Sequence, residues 1–270
     1  MVHYAFIYGI YLQMPKVIIL SAGQGRRLSP MTEATPKCML PIQGKTLIEW
    51  QLEALEACGV EQVTVVVGFG VTKVEEMLAR RDEKAKTSLC YNPFFEAADN
   101  LISCWVARGE MTEDFILING DTLFEPAVLQ RVLDSPSRPI TLAIDEKPNY
   151  DADDMKVGLS GERLVRIGKD LRAEQTNAES IGLMLFRGEG VDLFRGSLEQ
   201  AVRDPHSLKQ WYLSIIGQIA ESTGQVWTQL ISGLEWSEVD YPLDLLRASV
   251  MVGRWHAADT ELAPDMTLSA

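Results

Sequence analysis

From Lys16 onward the chain alternates short β-branched runs with segments of helical period, the pattern of a parallel sheet with crossover helices. Lys16–Ser21 (KVIILS) reads as a buried strand. Over 47–58, Leu47, Trp50, Ala54, Leu55 and Cys58 share one helical face, Glu49, Glu53 and Glu56 turn outward, and Gly59 stops the helix. A strand at 63–67, a helix over 71–81, a strand at 88–91, a helix over 100–108 and a strand ending at Asn119 follow. The predicted fold class for this part is α/β, a doubly wound, mostly parallel, Rossmann-like mixed sheet.

After a strand at 140–144 the pattern changes. Segments 156–159 and 164–167 flank Ser160-Gly161, a hairpin signal, and 181–186 is a further strand, so an antiparallel flap or edge is expected. Helices over 191–202 and 208–221, a strand at 226–230 and a last helix over 242–252 complete the chain as C-terminal helices. No repeat, low-complexity tract or Pro/Ser-rich linker interrupts it, so residues 15–255 are read as one domain. Residues 1–14 read as a non-essential extension, and 256–270 as a tail that frays or docks.

Composition narrows the class. The 270 residues carry 25 Lys+Arg against 38 Asp+Glu, a formal charge of −13, with 46% hydrophobic residues. Disorder, collagen and small disulfide scaffolds are excluded. Such an acidic chain is a poor partner for nucleic acid or an anionic membrane, which need a basic face. The aromatic-rich opening stretch lacks a basic leader region and a cleavage site, and Pro15 and Lys16 interrupt it short of a membrane span. Cysteines at 38, 58, 90 and 104 form no Cys-x-x-Cys pair and the three histidines are scattered, so no zinc site is legible and a reducing, cytoplasmic location is expected.

The most informative stretch is the glycine- and proline-punctuated loop from Leu20 through Ala22, Gly23, Gly25, Arg26 and Arg27 to Pro36-Lys37. Loops this long in a compact α/β domain usually have work to do. The glycines let backbone N–H groups approach a ligand, and three cations on one loop of an acidic chain describe a site for phosphate oxygens. A dinucleotide fingerprint would need glycine where Leu28 stands, and a P-loop would need glycine at Met39.

Gly23, Gly25, Arg27 and Pro36-Lys37 after an apolar strand resemble the signature of nucleotidyltransferases that join a nucleoside triphosphate to a phosphorylated acceptor. The resemblance implies that the loop backbone holds base and phosphates and that Arg27 and Lys37 hold the triphosphate. It makes Asp121, after the strand ending at Asn119, and Asp240, in Trp236-Ser-Glu-Val-Asp240, the expected Mg²⁺ ligands. Taken alone, Asp121 is a turn residue and Asp240 a helix N-cap.

The phrases Asp153-Asp154-Met155-Lys156, Arg166-Ile-Gly-Lys-Asp170, Glu179-Ser-Ile-Gly182 and Asp99-Asn100-Leu-Ile-Ser103 resemble a narrower branch, the cytidylyltransferases acting on phosphocholine, inositol-1-phosphate or 2-aminoethylphosphonate. By that resemblance 15–140 binds the nucleotide, CTP, with Asn100 and Ser103 near it. Residues 141–255 bind a small phosphorylated acceptor through Lys156, Glu179, Gly182 and Trp236. Trp105, Trp211, Tyr212 and Trp236 could cage a quaternary ammonium or pack in the core, whereas Asp153 and Asp154 suit a primary ammonium. The competing readings are a sugar-1-phosphate nucleotidyltransferase using UTP, dTTP or GTP, and a non-catalytic nucleotide-binding regulatory subunit. The apolar helix over 208–221 serves either a core or a homodimer face.

Overall fold

The apolar runs pair as strands. The computed structural model describes residues 14–82 and 84–262, with side chains described as far as Trp255; the expectation for the N-terminal extension lies almost wholly outside them. In chain order the strands and helices begin with β1 (Lys16–Ser21), the short ribbon β2 (Pro41–Ile42) and β3 (Lys45–Thr46), and α1 (Leu47–Ala57). They continue with β4 (Gln62–Val67), α2 (Val71–Leu78), β5 (Lys86–Tyr91), α3 (Asn100–Val106), β6 (Phe115–Asn119), β7 (Thr122–Phe124), α4 (Pro126–Leu133) and β8 (Ile140–Asp145). The second half supplies β9 (Lys156–Ser160), β10 (Arg163–Gly168), β11 (Ala178–Phe186), α5 (Glu189–Ala201), α6 (Tyr212–Thr223), β12 (Val226–Leu230), β13 (Trp236–Glu238) and α7 (Pro242–Leu262).

Nine strands form one sheet in the order β5-β4-β1-β6-β11-β8-β12-β10-β9. The first four are parallel to their neighbours, and β11 enters antiparallel between β6 and β8. Because successive side chains of a strand point to opposite faces, β1 feeds two cores: Ile18 packs with α3, α5 and α6, while Val17 and Ile19 pack with α1, α2 and α4. A third, smaller cluster joins Leu28, Leu123 and Val239 to Ala248, Met251 and Val252 of α7. The result is a mixed α/β fold with helices on both faces of the sheet.

Local signals explain the element ends. Thr46 and Glu49 close a reciprocal capping box at the start of α1, and Gly59 turns the chain with φ 81°. Glu56 is not solvated as expected, since its carboxylate takes a two-pronged hydrogen bond from Arg81 at 2.8 and 2.7 Å.

Three expectations for the second half are corrected. The β9–β10 hairpin is no free flap: β10 reaches β12, and β9 folds back onto β11, curling this end of the sheet into a small closed ring. The helix expected over 208–221 begins at Tyr212, after a short turn of 3-10 helix, and its Tyr212, Leu213, Ile215, Ile216 and Ile219 are buried in the core rather than forming a dimer face. The last helix extends to Leu262, into the expected tail. Among the described residues no helix is long and apolar enough to cross a membrane.

Candidate active site

The carboxyl ends of β1 and β6 open into a cleft of about 400 Å³, within the range of ordinary small-ligand sites. All ten residues expected at the nucleotide line it: Leu20, Ala22, Gly23, Gly25, Arg26, Arg27, Lys37, Asn100, Ser103 and Asp121, together with Asp240. The two glycines are there for different reasons. Gly25 has φ 78°, and a Cβ there would fall 2.8 Å from the Cβ of Lys37, so only glycine lets the loop close over that lysine. Gly23 has no protein atom within 4 Å of where its Cβ would be; the space beside it belongs to the cleft.

Asp121 follows a turn whose Gly120 amide donates to Leu20 O at 3.0 Å. It faces Asp240 because β7 and β13 pair as a two-stranded ribbon, Thr122 opposite Glu238, with the Val239 amide donating to Asp121 O at 3.0 Å. Asp240 does not cap α7. That task falls to Asp244, which accepts from the Asp240 and Tyr241 amides at 3.2 and 2.8 Å, leaving the Asp240 carboxylate free for the cleft.

Lys37 Nζ donates to Asp121 Oδ2 at 2.7 Å and to Asp240 Oδ1, and Arg27 Nη1 reaches Asp240 Oδ2 at 2.8 Å. Burial works against the charge on Lys37, but Asp121 and then Asp240 outweigh it and hold its pKa above the ordinary value. Burial likewise opposes ionisation of Asp240, and the Lys37 and Arg27 charges more than offset it, so its pKa is lowered.

Glu238, which the sequence reading did not single out, is the third carboxylate. Oxygens of Asp121, Glu238 and Asp240 lie within 4.8 Å of one another. Desolvation beside the other two carboxylates, then the charges of Asp121 and Asp240, raise the Glu238 pKa although its side chain still reaches solvent. Asp121 Oδ1 is buried without a hydrogen-bond partner. Three hard oxygen donors, one of them orphaned, fit a divalent cation of the magnesium type. The Glu-x-Asp spacing was the available signal, because residues i and i+2 of a strand share a face.

The acceptor block is arranged differently from expectation. Lys156, Glu179, Gly182 and Trp236 do not line the cleft. The buried Lys156 donates to the Lys169 carbonyl at 2.7 Å, and Glu179 pairs with Lys147 at 2.9 Å. Gly182, with φ 74°, sits where β11 shifts register, and its missing Cβ makes room for the Asn119 side chain. Trp236 donates its indole N–H to Asp145 at 2.9 Å. Nor do the four aromatic candidates form a cage. Trp105 stacks on Arg108, Tyr212 is buried with its hydroxyl donating to Asn119 Oδ1 at 3.1 Å, and Trp211 alone of the four lines the cleft. Next to the cleft residues Trp211 and Arg27, Lys169 lies over the Trp211 ring at 4.9 Å, Arg27 lies over the Tyr241 ring at 5.4 Å, and Asp153 accepts from the Tyr241 hydroxyl at 2.7 Å.

Residues 17–154, just over half of the chain, match the family described as MobA-like NTP transferase domain. The chain belongs to this NTP transferase family. Among its relatives is a CMP-5'-(3-aminopropyl)phosphonate synthase of Streptomyces rubellomurinus, 28% identical over 242 residues that cover 86% of this chain and 38% of that protein. A CTP:phosphoglutamine cytidylyltransferase of Campylobacter jejuni is 24% identical over 84% of this chain and 96% of its own length. A choline-phosphate cytidylyltransferase of Streptococcus pneumoniae is 33% identical over 41% of this chain and 46% of its own. The chain thus spans well under half the length of the first of these relatives, and the stretch aligned with the third covers under half of it. The fold of the NTP transferase matches the inositol-1-phosphate CTP transferase from T. maritima with a TM-score of 0.75 at 22% identity, covering 88% of this chain and 95% of the other. It also matches a CTP:phosphocholine cytidylyltransferase from Streptococcus pneumoniae with a TM-score of 0.72 at 19% identity, covering 88% and 98%.

Proposed function

We propose that this NTP transferase is a Mg²⁺-dependent cytidylyltransferase that joins CMP from CTP to a small phosphorylated alcohol or phosphonate and releases pyrophosphate. The observation that carries this reading is the meeting, in one cleft, of the glycine loop with its Arg27 and Lys37 and the carboxylates Asp121 and Asp240, with the Glu238 carboxylate clustered beside those two. A module that only binds nucleotide has no need of that carboxylate set. The cytidylyltransferase names among its relatives support CTP and a phosphate or phosphonate acceptor.

In this reading 15–140 binds the nucleotide and 141–255 the acceptor, within one domain. The backbone at Leu20, Ala22, Gly23 and Gly25, with Asn100 and Ser103, holds the nucleoside. Arg26, Arg27 and Lys37 hold and neutralise the triphosphate. Asp121, Asp240 and Glu238 would hold magnesium, which when bound supplies charge neutralisation at the reacting phosphates. An acceptor oxygen attacks the α-phosphorus, and the bond to the β-phosphate breaks as pyrophosphate leaves. A phosphate or phosphonate is already ionised near neutral pH, so no histidine base is required, and the cleft's work is positioning and electrostatics. Lys156 supports the acceptor end of the cleft from behind by fixing the backbone of Lys169, whose side chain covers Trp211. The four cysteines, all free thiols, support a reducing, cytoplasmic setting.

The test is pyrophosphate release with Mg²⁺, each of the four nucleotides, and phosphocholine, 2-aminoethylphosphonate, inositol-1-phosphate and a sugar 1-phosphate as acceptors. CTP with one of the first three is the expected productive pair. Release only with a sugar phosphate would move the chain to the sugar branch, and no release with any pair would reject catalysis.

A further inference from the structure

We propose that Gln51 is a positioning residue for the carboxylate edge of the cleft, acting through the backbone that carries Asp121. The inference rests on the metal role given above to Asp121. Gln51 lies in the middle of α1 and is fully buried. Around it the buried residues of the helix are apolar: Leu47, Ile48, Trp50, Leu52, Ala54 and Leu55. Packing alone asks for leucine or methionine at this place, because a buried amide costs free energy unless its hydrogen bonds are made.

The Gln51 carboxamide makes its bonds on one side only: Nε2 donates to two particular carbonyls, Asn119 O at 2.9 Å and Thr122 O at 2.8 Å, while Oε1 is buried without a partner, so the residue is kept for its donors at a cost to packing. The two carbonyls bracket Gly120 and Asp121, so the amide clamps both ends of the turn from which the Asp121 carboxylate projects. The turn has three other anchors: Gly120 N donates to Leu20 O on β1, the Val239 amide after β13 donates to Asp121 O at 3.0 Å, and the Thr122 hydroxyl donates to Ile181 O on β11 at 2.9 Å. Removing the α1 contact leaves a turn with β-sheet anchors but free to pivot toward the helix. The residue type follows from the chemistry. Two carbonyl acceptors need two donors on one neutral group, which an amide NH₂ supplies and a carboxylate does not.

Groups that orient a metal ligand without touching the metal typically change metal affinity or activity by about 10–100-fold when removed. The experiment measures Mn²⁺ binding by electron paramagnetic resonance in the presence of CTP, and the Mg²⁺ activation profile, for the whole protein and for Gln51→Leu and Gln51→Met. The expected result is folded variants with a melting transition, Mn²⁺ affinity and half-activating Mg²⁺ concentration each about 10-fold or more poorer, and an unchanged KM for acceptor. Gln51→Glu is expected to be worse than either. Wild-type metal affinity in a folded Gln51→Leu or Gln51→Met overturns the assignment. Failure of both to fold overturns it too, because the residue would then serve the fold rather than the turn. If the unmodified protein binds no Mn²⁺ with CTP, it is the metal role of Asp121 that fails.

Discussion

Lys37 Nζ lies 2.7 Å from Asp121 Oδ2 and also contacts Asp240, so the ammonium stands between carboxylates that suit a divalent cation. A lysine and a metal cannot both neutralise the same oxygens at full strength. Replacing Lys37 by Met is therefore expected to raise the affinity for Mn²⁺ in the absence of nucleotide, about 10-fold for each 1.4 kcal/mol of lost competition, as read by electron paramagnetic resonance. Turnover is expected to fall by hundreds-fold, the loss of about 3–4 kcal/mol usual for one charge-stabilising donor. Equal Mn²⁺ affinity in variant and parent would show that lysine and metal do not compete.

Asp121→Ala and Asp240→Ala are expected to abolish turnover while leaving a folded protein. Each removes a carboxylate that faces the cleft and carries no helix cap. Circular dichroism checks the fold and pyrophosphate release the activity. Near-normal activity in either would remove that residue from the mechanism.

The two loop glycines separate structure from ligand contact. Gly25→Ala places a side chain at positive φ against Lys37 and is expected to cost about 1–2 kcal/mol of stability. Gly23→Ala meets no protein atom, so its melting temperature should match the parent while CTP binding weakens. Isothermal titration with CTP and a thermal melt decide both; unchanged CTP affinity in Gly23→Ala would mean the ligand does not approach there.

Two glutamates bend the pH dependence of stability in opposite directions. Burial first, with Asp154 adding to it, pushes Glu179 up to about 7 against the pull of Lys147. A carboxyl that holds its proton more tightly folded than unfolded adds stability at low pH, and that stability is lost as pH rises from about 4.5 through 7. Glu56 behaves oppositely: burial raises it, but the Arg81 hydrogen bonds and the Ala85 and Lys84 amides win and lower its pKa. Its contribution is present above the ordinary carboxylate pKa and disappears as acid protonates it. Denaturant melts across pH 4 to 8 should therefore show Glu179→Gln flattening the decline toward neutrality, and Glu56→Gln losing stability chiefly at neutral pH. A Glu179→Gln curve parallel to the parent's would contradict the raised Glu179.

The proposed nucleotide side of the cleft is legible where its signals are local: Gly23, Gly25, Arg27 and Lys37 sit on one loop. Asp121 and Asp240 both need the family resemblance, since alone they read as a turn residue and a helix cap, and Glu238 stays hidden because β13 is three residues long and its partner is a matter of register. The acceptor side misled for a related reason. Lys156 and Glu179 look like binding groups when the hairpin is read as a flap, but closure of β9 onto β11 buries both. Likewise, the apolar face of α6 could not be assigned to core or dimer without knowing that α5 and β10 pack against it.

The ribbon of β7 and β13 also has a meaning for synthesis. Lys37 and Asp240 are 203 positions apart, so the strand bearing Glu238 leaves a ribosome long after the glycine loop. A nascent or truncated chain ending before Trp236 would own the complete glycine loop yet lack two of the three clustered carboxylates. On the proposed mechanism, the cleft is competent only once β13 has docked on β7, so it assembles as a late product of folding rather than with the loop that forms its floor.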